Sequence, residues 1–229
     1  MKPVEKFRIF ALPVVAFVAW ISLSNLAAEL LRPTAVVWPT EINSAPTSNQ
    51  VSSAGWWAST IAPFRSDLKA EYALALAGQA LKSDAAKTET GRKAQEAVVD
   101  ALSIGPHDSR MWLVLALLRA RSNPGNSAVA GSSNSQVAEP LKMSYLTGPN
   151  REELIPTRLT AVIASNSLDD ADLNEFARGD VRAILTRIPD QRQTLMNTYT
   201  RASTAGKTFL EDSARAYDPR FVDSLRGKK

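Results

Sequence analysis

Two short patterns in the sequence could carry chemistry, and each is better explained by a helix or a turn. Gly206-Lys207-Thr208 ends like a phosphate-binding loop, but Arg201 stands where that loop needs a glycine, and a helical pattern precedes it instead of a strand. His107 is the only histidine in the sequence, and it lies in a predicted turn. A general base needs a nucleophile and an orienting partner within reach, and the adjacent Asp108 is better placed to cap the next helix.

Two further polar groups are explained by the starts of helices. Residues 66–69 have the Ser-x-x-Lys spacing of penicillin-interactive enzymes, but neither Ser-Asp-Asn nor Lys-Thr-Gly follows, so Ser66 is predicted to be a helix N-cap. The acids within residues 169–175 lack the glycine turn of a hard-cation loop, and acids in a first turn suit the helix dipole. The sequence therefore predicts no catalytic, cofactor-binding or metal-binding residue, and we expect the protein not to be an enzyme.

The composition excludes several further classes of site. The 229 residues contain 27 Lys and Arg against 23 Asp and Glu, which gives a formal net charge of +4. The part that follows residue 32 carries only +2, so we expect no dense basic surface for nucleic acid. The sequence has no Cys, which excludes disulfides, thiolate nucleophiles and Cys-ligated metals, and a single His excludes a His-rich metal centre.

The N-terminal part of the sequence predicts a membrane anchor. Residues 9–28 form an uncharged run of twenty residues, about the length needed to cross a bilayer. Three basic residues precede the run, whereas the acid and the base that follow it cancel. The positive-inside bias therefore predicts that residues 1–32 are a cytoplasmic stub and a transmembrane anchor, with lipid contact through residues 9–28. The expected location is a bacterial inner membrane, with a periplasmic C-terminal domain.

A cleaved signal peptide is the main alternative for this run, and a buried helix of a soluble protein is another. The run is longer than the ~7–15 residues that are usual for a signal core. The best small-x-small cleavage pattern, Ser22-Leu23-Ser24, falls inside the run instead of after it. Both observations favour an uncleaved, single-pass anchor.

The segment that follows the anchor is predicted to be a linker. Residues 33–63 are rich in Pro, Ser, Thr and Asn, and no helical or alternating period persists there, so we expect an extended chain. Trp56 and Trp57 stand out in this composition. The pair fits three roles: packing onto the first helix of the next domain, insertion into the membrane interface, or docking to a partner.

The remaining chain is predicted to be helical. Apolar residues recur at helical spacing from residue 64 onward, which predicts an all-α domain over residues 64–229. Residues 111–118 are apolar almost all round and predict a central helix that is covered on several sides. A short helix is expected over residues 138–146, with Pro140 near its first turn.

The turns between the predicted helices repeat. Ala101 stands five residues before Pro106, and Ser144 stands five residues before Pro149. A glycine directly precedes each of these prolines, at Gly105 and Gly148, and it is expected to supply a left-handed helix stop.

The centre of this domain resembles a tetratricopeptide repeat. Ala94, Val98, Ala101, Pro106 and Trp112 have the spacing of the second helix of such a repeat and of the start of the next repeat. The resemblance covers about residues 65–164 and implies an α-solenoid of antiparallel helix pairs, with a concave face that grips a peptide or a protein. Helix hairpins without that superhelix fit the same residues.

One tryptophan carries most of the predicted repeat packing. Trp112 follows Pro106 at the interval of the repeat family, within the most apolar stretch outside the anchor. We expect its ring to fill the space between its own helix and the neighbouring pair, close to Val98 and Leu141.

These features together favour a membrane-anchored, periplasmic helical-repeat adaptor that holds a protein partner in a cell-envelope assembly. The resemblance also favours an accessory role in polysaccharide or envelope-protein assembly. The alternative is a small accessory subunit of a larger inner-membrane complex, held mainly through its transmembrane helix. The expected partners are an envelope protein and the lipid bilayer, but not nucleic acid. Two groups of residues are candidates for partner binding: the tryptophan pair Trp56 and Trp57, and a cationic surface near the groove made of Arg119, Arg121 and Arg158.

Overall fold

The chain folds into eleven α-helices within the residues that the structure describes. This computed structural model describes residues 3–32, 49–82, 89–122, 133–165 and 167–227. Within these ranges there is no strand, so the predicted all-α fold is confirmed. The helices are α1 (Pro3–Leu30), α2 (Asn49–Ile61), α3 (Ser66–Lys82), α4 (Glu89–Ile104), α5 (Ser109–Ser122), α6 (Ser133–Thr147), α7 (Ile155–Ala164), α8 (Ala171–Thr186), α9 (Arg192–Arg201), α10 (Thr204–Tyr217) and α11 (Pro219–Leu225).

Helix α1 is the most apolar element. Its segment Ala11–Leu30 is long and apolar enough to cross a membrane, and only 6% of its most apolar stretch is buried in the chain. This agrees with the length expected for a span. Pro13 lies inside α1, in a region where membrane helices tolerate proline.

The body packs mainly as consecutive helix pairs. Helix α3 contacts α4 most extensively, α5 contacts α6, and α3 also contacts α5. The faces of α5 belong to two different apolar clusters: Val114 packs with α3 and α4, whereas Leu113 packs with α6, α7 and α8. The predicted central helix is therefore confirmed, because α5 is covered on more than one side.

The position of Trp112 differs from the prediction. Its ring is half-buried and packs against the cluster that contains Val98, whereas Leu141 belongs to the other cluster. The indole N–H donates to the carbonyl of Pro106 at 2.7 Å, at the edge of the turn that precedes α5. A polar indole N–H prefers a position where it finds an acceptor, which holds the ring at the edge of the core and not in its centre.

The predicted extended linker is wrong for residues 49–61, which form α2. The rest of the proline-rich segment, residues 33–48, lies outside the described residues. Helix α2 packs closely on α3, since a Cβ added at Gly55 would lie 3.4 Å from Cα of Tyr72. The small residues of this segment resemble a linker in the sequence, and they also permit the close approach of α2 to α3.

The two Gly-Pro turns make the same contact twice. A Cβ on Gly105 would lie 2.9 Å from Cβ of Ser66, the first residue of α3, and a Cβ on Gly148 would lie 2.7 Å from Cβ of Ser109, the first residue of α5. Both glycine and both serine positions are 43 residues apart. Neither turn glycine has a positive φ, so the expected left-handed stop is wrong. Glycine is needed there because the turn touches the start of a helix.

Pro140 is not near a helix start, because α6 begins at Ser133 and places this proline inside the helix. A proline has no N–H, so the carbonyl of Gln136, four residues earlier, loses its usual helical donor. Nη1 of Arg119 donates to that carbonyl at 3.0 Å. The neighbouring helix thus supplies the hydrogen bond that the proline removes.

The turn contact can be tested with two glycine substitutions. Gly148→Ala is expected to lower the free energy of unfolding by about 1–3 kcal/mol, because the new methyl group overlaps Ser109. Gly179→Ala is the matched control, since its Cβ in α8 would meet nothing within 4 Å and alanine favours a helix by about 0.5–1 kcal/mol. Chemical denaturation of the detergent-solubilised chain measures both. Equal midpoints for the two variants would contradict the close contact.

Candidate functional site

The apolar helix α1 ends in a polar junction with the body. Ala28 is fully buried in a small cluster with Ala58 of α2, Ala62 directly after α2, and Leu68 of α3. The C-terminal end of α1 therefore packs against two helices of the body. Sequence analysis missed this contact, because alanines in an apolar run give no sign that one of them faces protein.

Ion pairs surround this buried cluster. Nε of Arg32 donates to both carboxylate oxygens of Glu71 at 3.0 Å, and Nη2 adds a further hydrogen bond to that carboxylate. Nη1 of Arg65 donates to Glu29 at 2.9 Å, which connects the start of α3 to the end of α1. Hydrogen bonds to Glu71 and Glu29 raise the pKa of Arg32. In the sequence, Glu29 and Arg32 only cancelled in the charge count, whereas in the structure both form bonds to the body.

Trp56 and Trp57 lie on the outer face of α2. Their rings meet edge to face, with centroids 4.7 Å apart and planes at 73°. The side chains are 44% and 54% exposed, so this pair does not fill the contact with α3. Of the three roles that the sequence left open, this exposure favours the two that face outward, insertion into the membrane interface and docking to a partner.

The three arginines predicted to share one surface occupy three different places. Arg119 is half-buried and completes the hydrogen bonding of α6. Arg121 is exposed, and its Nη2 donates to the carbonyl of Leu81 at 3.1 Å, where a cation compensates the C-terminal end of α3. Arg158 is fully buried. A common cationic surface that includes Arg158 is therefore wrong, because the guanidinium of that residue is turned into the core.

Arg158 of α7 is held by the end of α6. Its Nε donates to Oγ of Ser144 at 2.9 Å, its Nη1 donates to the carbonyl of Gly148 at 2.9 Å, and its Nη2 donates to the carbonyl of Ser144. Oγ of Ser144 in turn donates to the carbonyl of Ser109 at 2.8 Å. This chain of bonds joins the start of α5, the end of α6 and the first turn of α7. Burial lowers the pKa of Arg158, but a guanidinium remains a cation at neutral pH.

Tyr145 and Asp180 extend this buried network into α8. The hydroxyl of Tyr145 donates to Oδ2 of Asp180 at 2.6 Å. The Tyr145 ring stacks on Phe176 at 5.0 Å between centroids, and the Arg158 guanidinium lies 4.8 Å from the centroid of the same ring. Removal from water raises the pKa of Asp180 to about 7, against the opposing effects of the Tyr145 hydroxyl and the charges of Arg158 and Arg187.

Neither of two surface cavities in the described part of the chain reaches this network. Tyr145, Arg158 and Asp180 are 5%, 0% and 6% exposed, and they line neither the furrow between α4 and α5 nor the cavity of about 200 Å³ between α7 and α9. A carboxyl group with a raised pKa is a common mark of a catalytic site, but a reacting group must also reach its substrate. The geometry gives this network a structural role.

The furrow between α4 and α5 is an open surface cleft of about 630 Å³. Val99, which is 50% exposed, lies in it above the buried Leu115. Most of the lining charges are paired within the protein: Arg92 with Glu89 and Glu96, and Asp100 with Lys69 at 2.7 Å. Arg119, the remaining charged residue of the lining, donates to the carbonyl of Gln136 at 3.0 Å. The furrow is lined by Arg92, Gln95, Glu96, Val99, Asp100, Ser103, Leu115 and Arg119.

The motifs weighed for chemistry lie at helix starts and turns. Lys207 lies in the first turn of α10, where Oγ of Ser203 caps the helix by accepting from the N–H of Gly206 at 3.2 Å. His107 is exposed in the turn before α5. Oδ1 of Asp170 accepts from two backbone N–H groups and caps α8, and Asp172 lies in the first turn of that helix. No group of three or more His, Asp or Glu side chains that could hold a metal ion occurs among the described residues.

Comparison of the chain with protein-family models, curated proteins and solved structures finds no match.

Asp180 predicts a pH-dependent stability. Because the folded state raises the pKa of this carboxyl group from 3.8 to about 7, folding takes up a proton between these values. The Asp180 contribution to the free energy of unfolding is thus fully present below pH 4 and is lost as the pH rises through 7. In Asp180→Asn, a neutral amide keeps an acceptor for Tyr145. Its stability relative to wild type should rise by roughly 2–4 kcal/mol between pH 4 and pH 8.

Denaturation of both proteins across this pH range provides the measurement. Groups that titrate equally in both proteins cancel in the difference. Glu175→Gln, on the exposed face of the same helix, controls for the removal of a carboxylate. A difference between Asp180→Asn and wild type that stays constant from pH 4 to pH 8 would show that Asp180 is charged throughout, which is incompatible with its buried setting.

Proposed function

We propose that the protein is a membrane-anchored helical scaffold that holds a protein partner in an assembly of the bacterial cell envelope. Helix α1 crosses the inner membrane with its N-terminus in the cytoplasm, and the body stands in the periplasm. The observation that carries this proposal is the junction between the two parts. An apolar helix of membrane length ends in a buried contact with a body that has its own core.

The junction also favours retention of α1 over cleavage as a signal peptide. Ala28 is fully buried between α2 and α3, and Arg32 and Glu29 bond to residues of α3 and of its start. Loss of α1 would expose the apolar surface of Leu68 and remove Glu29, which pairs with Arg65. A signal peptide is discarded and has no need of such contacts.

The repeated turn contact supports a scaffold built from stacked helix pairs. The turn after α4 touches the start of α3, and the turn after α6 touches the start of α5, at an interval of 43 residues. In helical repeat proteins, each unit packs on its neighbour and the stack presents an extended surface for a partner. The furrow between α4 and α5 is the part of that surface that we assign to the partner.

A partner segment suited to this furrow has an apolar side chain for Val99 and an acidic side chain for Arg119. Val99 is the half-exposed apolar residue of the lining, and the Arg119 guanidinium donates one hydrogen bond to the carbonyl of Gln136. A guanidinium can hold a carboxylate through two parallel hydrogen bonds. This pairing gives the furrow a preference for acidic over basic peptide segments.

The proposed topology predicts the outcome of a reporter experiment. Alkaline phosphatase fused after Lys229 should be active in cells, because three basic residues precede the span and hold the N-terminus in the cytoplasm. Replacement of Lys6 and Arg8 by Glu should sharply reduce that activity, since the positive-inside bias is removed. An inactive phosphatase fusion beside an active cytoplasmic reporter at the same position would overturn the topology.

The furrow can be tested by photocrosslinking in intact cells. A photoreactive residue at Val99 should capture a distinct protein, and the same residue at Thr186, which is exposed at the end of α8, should not. Ser103→Arg would fill the furrow from an exposed position and should abolish the crosslink, whereas Ser103→Ala should preserve it. Equal capture from Val99 and Thr186 would contradict a specific site in the furrow.

The alternative, an accessory subunit held mainly through α1, predicts a different result. Replacement of residues 1–32 by a cleavable signal sequence releases the body into the periplasm. A scaffold should still form the crosslink from Val99 after release. Loss of that crosslink, with the released body still folded, would favour the accessory-subunit function.

A further inference from the structure

Helix α2 is amphipathic in an unusual sense, because its small side chains face the protein and its large ones face outward. Gly55, Ala58 and Ser59 of α2 are buried, with Ala62 directly after the helix, and Ala58 and Ala62 share a cluster with Ala28 of α1 and Leu68 of α3. On the opposite face lies a surface that we call the aromatic face, made of Trp56, Trp57 and Thr60 and continued by Phe64, which is 90% exposed.

This distribution needs an explanation outside the chain. Large apolar side chains are usually buried in the core, and a group of exposed ones marks an interaction surface. The two indole rings are 44% and 54% exposed and meet edge to face on the outer side of α2. A ring that is apolar on its faces and polar at one N–H suits a boundary between an apolar phase and water.

The contact with α1 fixes the depth of this face. Ala28, which shares an apolar cluster with Ala58 and Ala62, lies two residues before the end of the apolar segment at Leu30, a distance of about 3 Å along the helix. If α1 crosses the bilayer, the C-terminal half of α2 lies beside its last turn, at the level of the lipid headgroups. Tryptophan is enriched at this level in membrane proteins.

We propose that the aromatic face of α2 inserts into the membrane interface and forms a second lipid contact beside the span. The inference rests on the proposed anchoring by α1. It makes α1 and α2 one lipid-bound unit that sets how the body stands on the membrane. The neighbouring ion pairs of Arg32, Arg65 and Glu71 then lie at the headgroup level, where water and headgroups stabilise their charges.

A protein partner for the aromatic face is the competing explanation. Two observations favour lipid. The face lies at the depth of the bilayer surface, and the groups beside it are satisfied within the chain, since Arg65 bonds to Glu29 and Asp67. A zwitterionic lipid surface requires no further charged partner.

Nitroxide labels on single cysteines can measure the depth of the aromatic face, because the natural sequence has no Cys. The full chain is reconstituted into phosphatidylcholine vesicles with a label at Thr60, at Lys93 or at Val18. Lys93 is exposed at the start of α4, and α3 carries the chain about 25 Å away from the junction over its 17 residues. Val18 is 55% exposed in the middle of the apolar segment of α1.

Collisions with oxygen, which concentrates in lipid, and with a water-soluble nickel chelate give the result. At Thr60 the ratio of oxygen to nickel collisions should exceed that at Lys93 several-fold and stay below that at Val18. A ratio at Thr60 equal to that at Lys93 would overturn the inference. Low accessibility to both reagents at Thr60 would also overturn it, because it would show a protein contact. A water-like ratio at Val18 would instead refute the anchoring by α1.

Variants of the tryptophan pair test its part in this contact. With the label at Thr60, replacement of both tryptophans by Ala should lower the ratio towards that at Lys93, and replacement of both by Phe should retain most of it. The label at Val18 should be unaffected in either variant. An unchanged ratio at Thr60 in the double alanine variant would show that the pair does not hold α2 in the interface.

Discussion

The buried guanidinium of Arg158 is the constraint on which the arrangement of the central helices depends. A charge removed from water must be compensated by groups in fixed positions. Here the groups are the carbonyls of Ser144 and Gly148 and the hydroxyl of Ser144, all at the end of α6. That end is also where the turn touches the start of α5. A shift of α6 relative to α7 would therefore leave a buried charge uncompensated, so this network selects one packing among those that the apolar residues allow.

At the junction at the end of α1, the charges are compensated in a different way from that of the buried Arg158. Arg32 and Arg65 are partly exposed, and each is paired with carboxylates of both its own neighbourhood and another helix. Exposed ion pairs contribute little to stability, so the contact energy of this junction resides mainly in the cluster of Ala28, Ala58, Ala62 and Leu68. The ion pairs instead fix the direction in which the body leaves α1, because bonds between specific atoms restrict rotation about a contact of small, smooth side chains.

The sequence predicts the helices well and their buried polar contacts poorly. Helical periodicity predicted the helical domain that holds α3 to α11, because burial of one face is repeated along each helix, and a long uncharged apolar run predicted α1. Helix α2 was missed because its buried face consists of Gly, Ala and Ser, which carry no strong periodic signal. Arg158 was placed on a surface because arginine usually is exposed, and only the folded chain shows that α6 ends beside it. The Gly-Pro repeat was recognised, but the reason for the glycine is a contact with a serine 39 residues earlier in the chain.

The same small residues that hide α2 in the sequence explain how the anchor and the body could act as one unit. Alanine and glycine let helices approach closely, as at Gly55 against Tyr72 and at Ala28 against Ala58. Because this face of α2 packs so closely, its large residues Trp56 and Trp57 lie on the opposite, exposed face. The tryptophans are therefore not displaced core residues; they occupy the side of the helix that faces away from both α1 and α3. A flexible tether would need neither the close contact nor the paired charges. A scaffold that must present the furrow between α4 and α5 at a fixed orientation to the membrane needs both.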